Sequence, residues 1–189
     1  MGFNTLLINT NTLKTMLEEI KGQWQLDENR YVTYHKVVDG LKLTRTELYN
    51  RAMDYFVCNF SDVDSVIQNR DVANGIIVGK GVFKNVYALE AVLLRNIIDT
   101  WHILKVEAGE GRARITLSLT HYDETVRGGE LPDNHYLYPL SKQYPIDPNG
   151  YQKDLWEQAF NKSHMKALET IESVEKALKK GGVRKKDEW

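Results

Sequence analysis

The sequence predicts an α+β protein built on one antiparallel five-stranded sheet with helices on one face, in the order strand, helix, four strands, helix. Three observations carry this expectation. Two segments, 48–60 and 160–178, repeat apolar residues at helical spacing. The stretch RYVTYHKVV, residues 30–38, is rich in aromatic and β-branched types and stops at the turn dipeptide Asp39-Gly40. Two further pairs of β-branched runs are joined by short glycine-containing turns.

Taken in order, the chain opens with a short helix. Leu13, Met16, Leu17 and Ile20 share one face, Asn11 or Thr12 serves as cap, and Gly22 closes it. The strand 30–38 follows. Thr44 and Glu47 then make a capping box ahead of a helix that carries Leu48, Ala52, Tyr55, Phe56 and Phe60 on one broad face. In SVIQNRDVANGIIVGKGVF, Ala73-Asn74-Gly75 turns one run back on the other. In TWHILKVEAGEGRARITLSLT, Gly109-Glu110 supplies a two-residue turn. Pairing about it puts His102, Leu104 and Val106 with Ala113, Ile115 and Leu117 on an apolar face. Trp101, Ile103, Lys105 and Glu107 then share the other face with Arg112, Arg114, Thr116 and Ser118.

All four prolines fall between 132 and 148, and five of the ten tyrosines between 122 and 151. This reads as a Pro/Tyr-rich insertion that packs down, with NHYLYPL as an edge strand. From 152 to 180 the chain is helical again, with Phe160, His164, Ala167, Ile171, Val174 and Leu178 on one stripe. Gly181-Gly182 ends it. The 189 residues are expected to form a single domain: a helical extension (1–27), a core (28–125), the insertion (126–150), a C-terminal helix (151–182) and a charged tail (183–189).

The stretch GIIVGKGVF invites a phosphate-loop reading and does not satisfy it. A P-loop needs four residues between its glycines and a hydroxyl residue after the lysine. Gly75 and Gly79 are one residue too close, and Gly81 stands where the hydroxyl belongs. Ile76, Ile77 and Val78 favour an extended chain, so Gly79 and Gly81 are read as strand positions that let a helix or a neighbouring backbone approach.

ELYNRAMDYFVCNF, SVIQNRDVANGIIVGKGVF and HILKVEAGEGRARITLSL together resemble a bacterial domain family of unknown function whose fold is like one repeat of the TATA-box-binding protein. The resemblance covers about 30–122, with the C-terminal helix as the last element. It implies the element order already read from periodicity, and it brings no catalytic or binding residues. Many relatives look exported, which the resemblance extends to a periplasmic or envelope setting. The N-terminus here shows no leader, and a leader removed from the chain would account for that, so the compartment is left open. The segments 84–100 and 123–150 are expected to be inserts on that family's core.

Composition narrows the function classes. A net charge of −1 argues against broad attraction to nucleic acid or anionic lipid, and no apolar run reaches the length of a membrane span. One cysteine, Cys58, rules out an internal disulfide framework and is expected to be a buried, inert thiol. No cofactor and no metal are expected. His102 and His164 are read as core histidines. Asp62 and Asp64 are read as a turn, and the five basic residues in 179–186 as a solvated terminus.

The surface expected to carry function is the mixed sheet face together with the insertion: Trp101, Ile103, Lys105, Arg112, Arg114, Tyr136 and Tyr138. It would make the protein a non-enzymatic binding module for a protein, peptide or glycan. A second expectation is an enzyme site where His121, Asp123 and Glu124 meet the insertion. Nucleic-acid binding by analogy of fold comes third, and the oligomeric state is unassigned.

Overall fold

The computed structural model describes residues 19–20, 22–60, 66–91, 94–129, 132–140 and 153–180. The elements run β1 (Gln25–Leu26), β2 (Val32–Val38), α1 (Arg45–Asn59), β3 (Ile67–Asp71), β4 (Ile76–Ala91), β5 (Leu94–Gly109), β6 (Arg112–Gly128), β7 (Asn134–Pro139) and α2 (Lys153–Lys180). All strands pair antiparallel in one sheet, ordered β1-β2-β6-β5-β4-β3. One edge of β6 is shared by two neighbours. β2 lies along Ala113–Leu119, and β7 lies along His121–Val126.

The five predicted strands are present, and the sheet is larger by two. β1 is a two-residue hairpin partner of β2, and β7 is the edge strand read in NHYLYPL. The segment 84–100 is part of the sheet. β4 and β5 continue through it as a hairpin arm, with Tyr87 opposite Ile98 and Ala91 opposite Leu94. A bulge hides this in the sequence. Two extra residues enter β4 between the Phe83–Thr100 and Tyr87–Ile98 pairs, and Asn85 sits at φ 53°. The second hairpin turns at Glu110-Gly111 rather than Gly109-Glu110, because Gly111 supplies the positive φ of 68° that the turn requires. The pairing therefore slides by two residues, Val106 facing Ile115 and Leu104 facing Leu117. A slide of two keeps every side chain on its expected face.

Helices α1 and α2 seal one face. Even-numbered residues of β5 from Asn96 to Ala108 are buried there, with Ile77, Ala113, Ile115, Leu117 and Leu119 from the flanking strands. Leu48, Ala52 and Phe56 of α1 and Phe160, Ala167, Val174 and Leu178 of α2 complete the core. Gly79 and Gly81 are where α1 comes closest. A Cβ at Gly79 would overlap the Phe56 ring, and one at Gly81 would meet His102 at 2.7 Å and Phe60 at 3.0 Å. The capping box forms as the sequence reads it, the Thr44 hydroxyl accepting from the Glu47 amide and the Glu47 carboxylate from the Thr44 amide. The helix pair is tied at the C-terminal end of α2 by Arg51 from the middle of α1, which donates to the Leu178 and Lys179 carbonyls at 2.7 and 2.9 Å. The carbonyl end of α2 thus receives a cation.

Cys58 is exposed, contrary to the expectation of a buried thiol. It lies two positions past Phe56, a rotation of about 200° that carries it to the solvent side of α1. Outside the described residues lie the predicted N-terminal helix except Glu19 and Ile20, the Asp62–Asp64 turn, the segment 141–152, the Gly181-Gly182 terminator and the charged tail. No helix among the described residues is long and apolar enough to cross a membrane.

Candidate functional site

The face away from the helices is built by strand alternation. Odd-numbered residues of β5 point to it, and the registers of β4, β6 and β2 assemble rows across it. From the β5–β6 turn outward, one row is Ile76, Glu107, Arg114 and Val37, and the next is Val78, Lys105, Thr116 and His35. A third is Lys80, Ile103, Ser118 and Thr33, and a fourth joins Val82, Trp101, His121 and Pro139. Trp101, Ile103 and Lys105 are half-buried, while Arg112, Arg114 and Lys80 are exposed. Five of the seven residues expected at the interaction surface therefore share this face.

Tyr136 and Tyr138 do not. They pair with Glu124 and Tyr122, whose side chains point to the helix side. The Tyr138 ring meets Trp156 of α2 edge-on at 5.2 Å. The reason is register. β7 adds to β6 beyond the bulged Thr120, so its odd positions, Pro139, Leu137 and His135, take the open side and its tyrosines the covered one. Tyr138 also donates to the Glu124 carboxylate, and burial, with that contact, raises its pKa. The Glu124 side chain is buried and accepts from Asn96 Nδ2 at 2.8 Å.

The same alternation separates the alternative trio. His121 and Asp123 lie on the open side, and Glu124 is sealed beneath α2 on the other. Asp123 is 3.7 Å from His135, and no third ligating group joins them among the described residues. No cluster of three His, Cys, Asp or Glu fit to hold a metal occurs among the described residues. The sequence pattern HYDE looked like a polar cluster only because adjacent strand residues are written side by side.

Trp101 is the hub of the open face. Its ring stacks on His121 at 5.8 Å and 11°, and Lys80 places its ammonium 4.6 Å from the ring centroid. The bulge residue Thr120 fixes the arrangement, its hydroxyl donating to the Trp101 carbonyl at 3.2 Å and lying 3.0 Å from His121 Nδ1. With the single hydroxyl hydrogen used, Nδ1 must carry the proton in that second bond. Partial burial holds the His121 pKa down, the Lys80 charge lowers it further, and Asp123 opposes both. The Lys80–Trp101 contact was missed in the sequence because it joins a strand to a diagonal neighbour that only the register reveals.

The charges divide along the face. Near the turn Lys80, Lys105, Arg112 and Arg114 stand against Glu107, which Lys105 engages at 3.0 Å. Beyond Trp101 lie the acids Asp99, which Lys84 holds at 2.6 Å, and Asp123, whose Oδ1 is 3.7 Å from His135 Nδ1 without a hydrogen bond. At the turn end a cleft of about 350 Å³ opens, lined by Val37, Asp39, Glu107, Arg112 and Arg114, with Ala108, Gly109 and Ala113.

The fold, an antiparallel sheet with its helices on one side, is similar to that of known proteins. Residues 34–123 match the DUF4468 family model, a domain of unknown function with a TBP-like fold. The DUF4468 segment runs from Tyr34 in β2 to Asp123 in β6, so β7 and α2 lie beyond it. A DUF4468 family protein from Bacteroides ovatus ATCC 8483 has a similar structure, with a TM-score of 0.58, 18% identity, and coverage of 87% of this chain and 95% of that one. A TBP-like protein from Parabacteroides distasonis ATCC 8503 has a TM-score of 0.52 and 12% identity, covering 80% and 96%. At these identities the likeness is one of fold. No curated protein matches the chain.

Proposed function

We propose that the protein is a non-enzymatic binding module that presents the helix-free face of its sheet to a polypeptide partner. One observation carries the reading. Ile76, Val78 and Val82 of β4, Trp101 and Ile103 of β5 and the half-exposed Val37 of β2 put apolar surface on three strands of this face, interleaved with cations, while both described helices pack on the opposite side. Apolar side chains spread so broadly on an otherwise polar surface mark an interaction site. A glycan partner is disfavoured because sugar stacking needs a bare aromatic face, and the Trp101 ring already has His121 and Lys80 against it. The enzyme reading loses support because its carboxylates diverge and the cleft lies at the other end of the face.

The test is a selection of binding peptides from a random display library on the full chain, followed by two variants. Val37→Asp with Ile103→Asp alters the open face, and Met165→Asp with Leu168→Asp alters the exposed side of α2. Selected peptides are expected to weaken about tenfold or more on the first and to keep their affinity on the second. Failure to select any peptide, or loss only with the α2 variant, overturns the reading.

A further inference from the structure

We propose that the cleft at the turn end of the open face recognises carboxylates, and that its occupant is an acidic polypeptide segment in extended form, held by Arg112 and Arg114. This rests on the open-face reading and names the chemistry that one end of it takes. Arg112 and Arg114 are alternate residues of β6, exposed on the same side, and both line the cleft. Alternate side chains on a strand are about 7 Å apart, and an extended peptide repeats at the same distance. Acidic residues at every second position of such a peptide would therefore meet the two guanidinium groups in step. Each guanidinium offers a planar fork suited to a carboxylate, which an ammonium does not.

The guanidinium capacity is available. Arg112 makes no ion pair among the described residues, and Arg114 reaches Glu107 only at 4.0 Å while Lys105 holds the other Glu107 oxygen at 3.0 Å. Val37, half exposed beside Arg114, offers an apolar contact to a residue between the acids. Asp39 and Glu107 in the lining oppose any anion, so the two arginines must be met in step, while Asp99 and Asp123 farther along the face would run against the unbroken charge of a phosphodiester chain and not against two discrete carboxylates at the cleft.

The experiment measures fluorescence anisotropy on the full chain at low salt with three probes: a fluorescein-labelled peptide of alternating glutamate and leucine, its glutamine counterpart, and labelled oligothymidine. The glutamate peptide is expected to bind about tenfold or more tighter than the glutamine one. Arg112→Gln with Arg114→Gln should erase that preference. Arg112→Lys with Arg114→Lys should restore only part of it, and Lys162→Gln, on the exposed side of α2, should leave it intact. Both arginines are exposed, so the melting curves of these variants should overlay the wild type, which excludes unfolding as the cause. No binding of the glutamate peptide, or tighter binding of oligothymidine, overturns the inference. Equal binding of both peptides, each lost with Val37→Asp and Ile103→Asp, overturns the carboxylate site and leaves the open-face reading standing.

Discussion

At the scale of single residues, the glycines of GIIVGKGVF show how local sequence serves packing. Gly79 is a strand residue whose missing side chain is the space the Phe56 ring occupies, so α1 can lie against the sheet without a gap. Gly79→Ala inserts a methyl group into that ring. The expected cost is about 1–3 kcal/mol, read as a lower midpoint in urea unfolding at unchanged slope. Gly128→Ala near the far end of β6 is the control, since a Cβ there meets nothing within 4 Å and its φ is not positive. It should shift stability by less than about 0.5 kcal/mol. Equal effects at the two sites would mean that α1 does not rest on Gly79.

At the scale of elements, β7 is held less by its own sequence than by α2. Tyr138 packs edge-on to Trp156 at 5.2 Å, and Tyr122 lies 5.1 Å from the same indole, so one helix side chain pins two strands. Trp156→Ala should destabilise the chain by about 3–5 kcal/mol. It should also speed amide exchange across Asn134–Pro139 more than across β2, which pairs with the other half of β6. Uniform acceleration of both strands would show that β7 is not a separately anchored element. The same elements mark how far the sequence could be read. Periodicity was enough for α1, α2 and the two central hairpins, because each has one buried side over several turns or several alternations. It failed at the bulges. The two extra residues before Tyr87 broke the alternation and hid the continuation of β4 and β5 as an arm of sheet, and the extra Thr120 changed which side the following residues face. That second slip explains the site as well. Trp101, Ile103, Lys105, Arg112 and Arg114 were placed by alternation before the bulge and share a face, whereas Tyr136, Tyr138 and Glu124 follow it and fall on the other side. The cleft was not legible, since it joins the end of β2 to the β5–β6 turn, a proximity that only pairing creates.

At the scale of the whole molecule, the two faces of the sheet divide the labour: one side closes the core and the other carries charge and apolar surface toward solvent. The histidines record the division, with His102 and His164 beneath the helices and His35 and His121 on the open side. Beneath the helices, His102 stacks on Phe83 at 4.0 Å, and burial lowers its pKa from 6.5 to about 4. Burial also lowers the pKa of His164, whose Nδ1 lies 3.0 Å from the Tyr34 hydroxyl. A depressed histidine pKa means that the unfolded chain takes up the proton first. Stability should therefore be full above pH 6.5 and decline as pH falls through 6.5 toward 4, where the His102 contribution levels off after a loss of about 3 kcal/mol. Most of that window lies above the range where carboxylates such as Glu47 and Glu175, whose pKa values are lowered by their hydrogen bonds, begin to lose theirs. Urea midpoints measured from pH 7 to pH 4.5 should thus slope downward in the wild type. In His102→Leu the slope should flatten to the share that His164 and His121, whose pKa values are also lowered, leave. Because the cause is burial rather than a partner charge, added salt should not restore the slope's lost stability. A wild-type midpoint that stays level across this range, or a His102→Leu profile parallel to it, would show that burial under the helices does not lower the proton affinity of His102.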